Sequence, residues 1–133
     1  MRNGQQLAEY TCCFIRNHRA TFKKIMWLMH RAVDNGEMLS GTEVYYRAKQ
    51  AGVPITECAE FKRDKTLFAG IARYAVMLRP RLARCLEFRK SKMDKDVDLV
   101  KVWHDTVDSR TTFLASSWKE AQHLCEINDA AAM

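Results

Sequence analysis

From Leu67 to Leu86 the apolar residues return every three or four positions, as Leu67/Phe68, Ile71, Ala75, Leu78, Leu82 and Cys85/Leu86. On an α-helix that spacing gathers them into one stripe. No stretch of the chain shows the strict two-residue alternation of a half-buried strand. Gly and Pro, at five and two copies, are too scarce for the many turns of a sheet protein. The expected fold is all-α, a single compact bundle of roughly five to seven helices without a sheet. At 133 residues the chain fits one domain, 1–133, with 1–6 and 128–133 expected to fray.

Caps and breakers divide the chain. The apolar period runs from Leu7 to Val33 and weakens over Asn17–Thr21, where one helix can end and Thr21 can cap the next. Asp34-Asn35-Gly36 is a C-terminal stop, because Asn or Gly takes the left-handed conformation there. Ser40-Gly41-Thr42-Glu43 reads as a capping box opening helix 41–51, which Gly52 ends and Pro54 forbids from continuing. Thr56 can cap a short helix 56–63, and Asp64 or Thr66 the long one.

Pro80 interrupts that long helix and pushes Arg79 out of α geometry. The stripe keeps its phase across the proline, so a kinked helix and two abutting helices are equally open. Asp94, Asp96 and Asp98 suit the N-terminus of a last helix, 97–127. Its stripe is Leu99/Val100, Trp103, Val107, Leu114, Trp118, Ala121 and Leu124/Cys125, with a break available at Asp108–Thr111. The outer helices 7–33 and 97–127 are expected to cover the central one. Trp27, beside the first stripe, is expected to be partly buried.

Charge is concentrated in one place. Between Lys62 and Lys92 stand ten Lys and Arg against Asp64 and Glu87, a net +8, which leaves −2 for the rest of a chain of net +6. At 100° per residue Arg73 and Arg84 point away from the apolar stripe, and Arg79 and Arg81 flank it. A localised cationic segment favours a polyanionic partner. Arg16, Arg19, Lys23 and Lys24 form a second, smaller basic cluster. Five cysteines, an odd number with Cys12 and Cys13 adjacent, fit reduced thiols. The polar N-terminus lacks the apolar core of a signal peptide, so the expected compartment is cytoplasmic. No apolar run approaches the roughly 18 residues that span a bilayer, so no membrane partner is expected.

Val44 to Lys65 has the order of a helix-turn-helix. Ala48 is the small residue at the crossing, Gly52 the turn, and Val53, Cys58 and Phe61 seat the second helix. Thr56, Glu57, Ala59, Glu60, Lys62 and Arg63 would then face the bases. Arg47 stands where an apolar residue is usual, and Glu57 and Glu60 suit phosphates poorly. The same pattern serves an ordinary helix pair.

The cysteines and His18, His30, His104 and His123 show no metal-ligand spacing, so neither metal nor cofactor is expected. His104-Asp105 has no nucleophile placed in relation to it, and no catalytic motif is present. Enzymatic activity is therefore not expected.

The sequence thus points to a non-enzymatic nucleic-acid-binding protein, a small helix-turn-helix-like regulator or accessory factor, with DNA favoured over RNA. Thr56, Lys62, Arg63, Lys65, Arg73, Arg79, Arg81, Arg84, Arg89 and Lys90 are its candidate contacts, most of them to phosphates. Tyr45, Tyr46 and Tyr74 are candidates to stack on bases, although each suits a core. The alternative is a helical interaction module, a subunit or adaptor of a larger protein or ribonucleoprotein assembly. In it Trp103, Phe113 and Trp118 would meet a partner or a second copy.

Overall fold

The computed structural model describes residues 2–53, 65–88 and 90–124. It is all-α, and among the described residues there is no strand, only an isolated bridge between Leu39 and Leu86. The elements are α1 (Gly4–Asn17), α2 (Arg19–Asp34), α3 (Gly41–Gln50), α4 (Lys65–Leu78) and α5 (Leu99–Thr106). Two 3₁₀ segments, Pro80–Cys85 and Lys92–Asp94, lie between α4 and α5, and residues 118–124 are helical. Helix 56–63 and the tail 128–133 lie outside the described residues.

Local chemistry sets most boundaries. Ser40 caps α3, its hydroxyl accepting from the Glu43 amide at 3.2 Å. Helices α2 and α3 end in the same way. In α2 the Glu37 and Gly36 amides return to the Ala32 and Val33 carbonyls, and in α3 the Val53 and Gly52 amides return to Ala48 and Lys49. This Schellman pattern needs a left-handed residue, supplied by Gly36 at φ 68° and Gly52 at φ 76°. At Pro80 the chain forms two abutting elements. Arg79 leaves the helix at φ −140°, ψ 89°, and a 3₁₀ segment begins at the proline.

Three boundaries differ from expectation. Residues 3–6 do not fray, because Asn3 and Gln6 form a reciprocal capping box that starts α1 at Gly4. The break after α1 falls at His18, and Thr21 is buried inside α2 instead of capping it. The break available at Asp108–Thr111 within the expected helix 97–127 does form but is longer, since α5 ends at Thr106 and 107–117 is irregular. There Ala115 donates its amide to the Met77 carbonyl at 3.1 Å, and Trp103 donates Nε1–H to Thr111 Oγ1 at 2.8 Å. Those bonds fold the segment back onto α4 and α5.

Helix α4 is the hub. Residues 70–77 are buried without interruption, the signature of a helix covered on every side. Helices α1 and α3 and the Pro80–Cys85 segment pack on it. Tyr74 reaches α5, donating its hydroxyl to the Leu99 carbonyl at 2.8 Å. At Gly70 the α1 and α4 backbones approach so closely that a Cβ would overlap the Thr11 hydroxyl.

Candidate functional site

The fourteen-residue α4 sorts the expected cationic residues by its own burial. Arg73 does not point outward. It is 2 % exposed and forms a two-pronged ion pair with Asp94, Nε to Oδ1 at 2.6 Å and Nη2 to Oδ2 at 3.1 Å. Its Nη1 donates to the Ala69 carbonyl, and its guanidinium lies 5.1 Å from the Trp118 ring and 5.6 Å from Phe88. The Asp94 carboxylate also accepts from the Ser91 amide. The expectation that Arg73 faces solvent is therefore corrected. A single stripe implies one covered face, but residues 70–77 are buried all round, so the one charge among them must carry its counter-ion inward.

Of the other candidates, Thr56, Lys62, Arg63 and Arg89 lie outside the described residues, as does the side chain of Lys65. Arg79, Arg84 and Lys90 are exposed, and Arg81 is partly so. They do not share one face. Lys90 lines a groove of about 810 Å³ beside the first turns of α4, between Arg2, Gly41, Phe68 and Lys92. Arg79 and Arg81 lie beyond the other end of α4, against α2.

That second region brings the two basic clusters of the sequence together. A depression of about 330 Å³ lies between α2, Leu78–Arg79 and the 107–111 loop. Its floor is Phe22, Met26, Leu78 and Trp103, and Arg19, Lys23, Arg79 and Asp108 are at its edge. Arg19 crosses it to donate Nη2–H to the Val107 carbonyl at 2.6 Å. Next along α2, Arg81 donates Nη1–H to His30 Nδ1 at 2.7 Å and Nη2–H to Asp34 at 2.6 Å.

Since guanidinium only donates, His30 must accept on Nδ1 and is neutral. Burial, then the charges of Arg81 and Arg79, hold it below the ordinary histidine pKa, partly opposed by Asp34. Arg19, Lys23 and His30 on this face were missed as partners of Arg79 and Arg81, and only the fold of α2 against Pro80–Cys85 brings them together. Their spacing along α2 was the available signal.

Two of the described thiols are buried, and Cys13 is partly exposed. Burial pushes the Cys12 thiol up to about 12 and Cys85 to about 11, far from a thiolate at neutral pH. The His104 Nε2–H donates to the Thr111 carbonyl at 2.8 Å and holds the 107–111 loop. Among the described residues no three His, Cys, Asp or Glu side chains are grouped to hold a metal ion. Cys58 and Cys125 lie outside them.

Of the stretch 44–65, expected to hold a helix-turn-helix, only residues 44–53 and the backbone of Lys65 are described. Val44, Ala48 and Val53 are buried, as they would be in an ordinary helix pair too, and Arg47 pairs with Glu37 at 2.5 Å. The aromatic set of the adaptor reading is corrected. Trp103 and Trp118 are core residues, and partly buried Phe113 packs edge-on to Trp103 at 5.4 Å between centroids. None is an open aromatic face: Trp103 and Trp118 are buried, and Phe113 packs on Trp103 and Tyr74. Tyr74 is likewise core, while Tyr46 is exposed. No described helix is long and apolar enough to cross a membrane. Comparisons with protein families, with curated proteins and with solved structures find no match to this chain.

Proposed function

We propose that this protein binds nucleic acid without catalysing a reaction, through the cationic face where α2 meets Pro80–Cys85. The observation that carries this reading is the convergence of Arg19, Lys23 and Arg79 on one depression, with Arg81 beside them. Cations drawn from two separate stretches of chain onto one concave face make a local positive potential. Phosphate contacts require only cations within reach, and arginine suits them by its planar fork. The reading needs no contribution from Arg73, which is internal, nor from a helix-turn-helix.

The test is fluorescence-anisotropy binding to a labelled duplex and a labelled single strand, comparing wild type with Arg79→Glu/Arg81→Glu. Removing a cation that meets a phosphate weakens binding across all sequences alike. The double variant is expected to bind both probes more weakly while its thermal transition stays close to wild type. Equal affinity for wild type and variant refutes the reading.

A further inference from the structure

One exposed ridge of α2 extends beyond that depression. Arg19, Lys23, Trp27 and Arg31 stand four residues apart, and all four are exposed. Each step of four advances about 6 Å along the helix and turns about 40°, so they form one slanted row on its outer side. Trp27 is 49 % exposed, whereas Trp103 and Trp118 are 5 % and 6 %. It is half-buried, as expected beside the apolar stripe, and its open half lies in the middle of a cationic row. The Arg31 guanidinium lies 5.0 Å from its ring centroid. No carboxylate pairs with Lys23 or Arg31 among the described residues. Arg79 and Arg81 flank the row along the side of α2 that carries Met26, His30 and Asp34.

From this arrangement we infer that the ridge seats single-stranded nucleic acid, an unpaired base stacking on Trp27 while Lys23 and Arg31 meet the adjoining phosphates. The inference rests on the phosphate-binding reading of the same face and adds the strandedness of the ligand. In a duplex the base faces are stacked on one another and none is presented to an indole. A single strand presents them, and stacking on an aromatic ring accepts any base. The cations alone would serve either form, so the exposed ring is what separates them. An acidic peptide would meet the cations, but only an aromatic residue within it would give the indole a ring to stack on, whereas every nucleotide carries one.

The test compares wild type, Trp27→Ala and Trp27→Phe for binding to labelled oligothymidylate and to the corresponding adenine–thymine duplex. Tryptophan emission is followed in the same titrations. Trp27→Ala is expected to weaken single-strand binding about 10-fold, as removal of one stacking platform does. Duplex binding stays at the wild-type value, and Trp27→Phe keeps most of the single-strand affinity. In wild type the strand quenches the exposed indole, and in Trp27→Phe the remaining emission from buried Trp103 and Trp118 is unchanged.

If Trp27→Ala binds the single strand as wild type does while Arg79→Glu/Arg81→Glu binds less, stacking is overturned and the phosphate surface stands. If wild type binds neither probe at low salt, both readings fall, and the ridge is left for a protein partner. A variant that fails to fold does not protect the inference, because absence of quenching in wild type overturns it independently.

Discussion

Arg73 and Arg81 both hold an aspartate at 2.6 Å, and the two pairs do different work. The Arg73 and Asp94 side chains are 2 % and 23 % exposed, and those of Arg81 and Asp34 are 42 % and 64 %. For Arg73 the surroundings are Trp118, Phe88 and the Ala69 carbonyl, so removing either charge strands the other in an apolar shell. For Arg81 water screens both partners, and the pair contributes little to stability. The same contact distance therefore marks a structural staple in one region and a solvent-exposed pair in the other. Burial separates the scaffold of this protein from the face proposed to bind.

The largest effect that would test this contrast is Arg73→Ala. It should destabilise the fold by about 3–5 kcal/mol, the cost of breaking a buried pair, read as a lower denaturant midpoint. Wild-type stability in that variant would abolish the distinction. Gly70→Ala probes the same scaffold without charge. A Cβ meets the Thr11 side chain at the α1–α4 crossing, so a loss of about 1–3 kcal/mol is expected, again by denaturant titration.

Arg81→Ala sharpens the other half. Its stability should change by less than about 1 kcal/mol while affinity for a labelled oligonucleotide falls. The smallest effect concerns His30. Its folded pKa lies below the unfolded value, so its contribution is present above about pH 6.5 and is lost as pH falls below it. Thermal transitions of wild type should decline slightly more steeply over that window than those of His30→Gln. A bound phosphate near Arg79 and Arg81 would favour the imidazolium, so affinity should rise as pH falls through the same window.

What the sequence made legible was local. The stops at Gly36, Gly52 and Pro80 and the cap at Ser40 act through neighbouring backbone, and each appears where the residues require it. The central helix was legible in its apolar run, but its full burial was not. Between Leu67 and Leu78 the only charged residue is Arg73, and a helix apolar on every side buries its one charge too. Its counter-ion lies 21 positions away at Asp94, beyond any local rule.

The break at Asp108–Thr111 was legible, but the extension of the irregular segment over 107–117 was not. Trp118 and Ala121 keep a helical spacing from one another, yet the bond from Ala115 to Met77 and the Trp103–Thr111 bond override the period. The candidate face was half legible. Arg79 and Arg81 were singled out, but their neighbours Arg19, Lys23 and His30 come from a helix some fifty residues earlier, joined only by tertiary packing (the Arg81–His30 separation is 51).

The central claim is that the face at α2 and Pro80–Cys85 holds phosphates. The most direct measurement is the salt dependence of affinity for a labelled single strand, in wild type and in Arg79→Glu/Arg81→Glu. The logarithm of the wild-type association constant should fall linearly with the logarithm of salt concentration. The double variant should show a shallower slope, by about 0.7 for each phosphate it no longer neutralises. Identical slopes in the two proteins, or no wild-type binding at low salt, would contradict it.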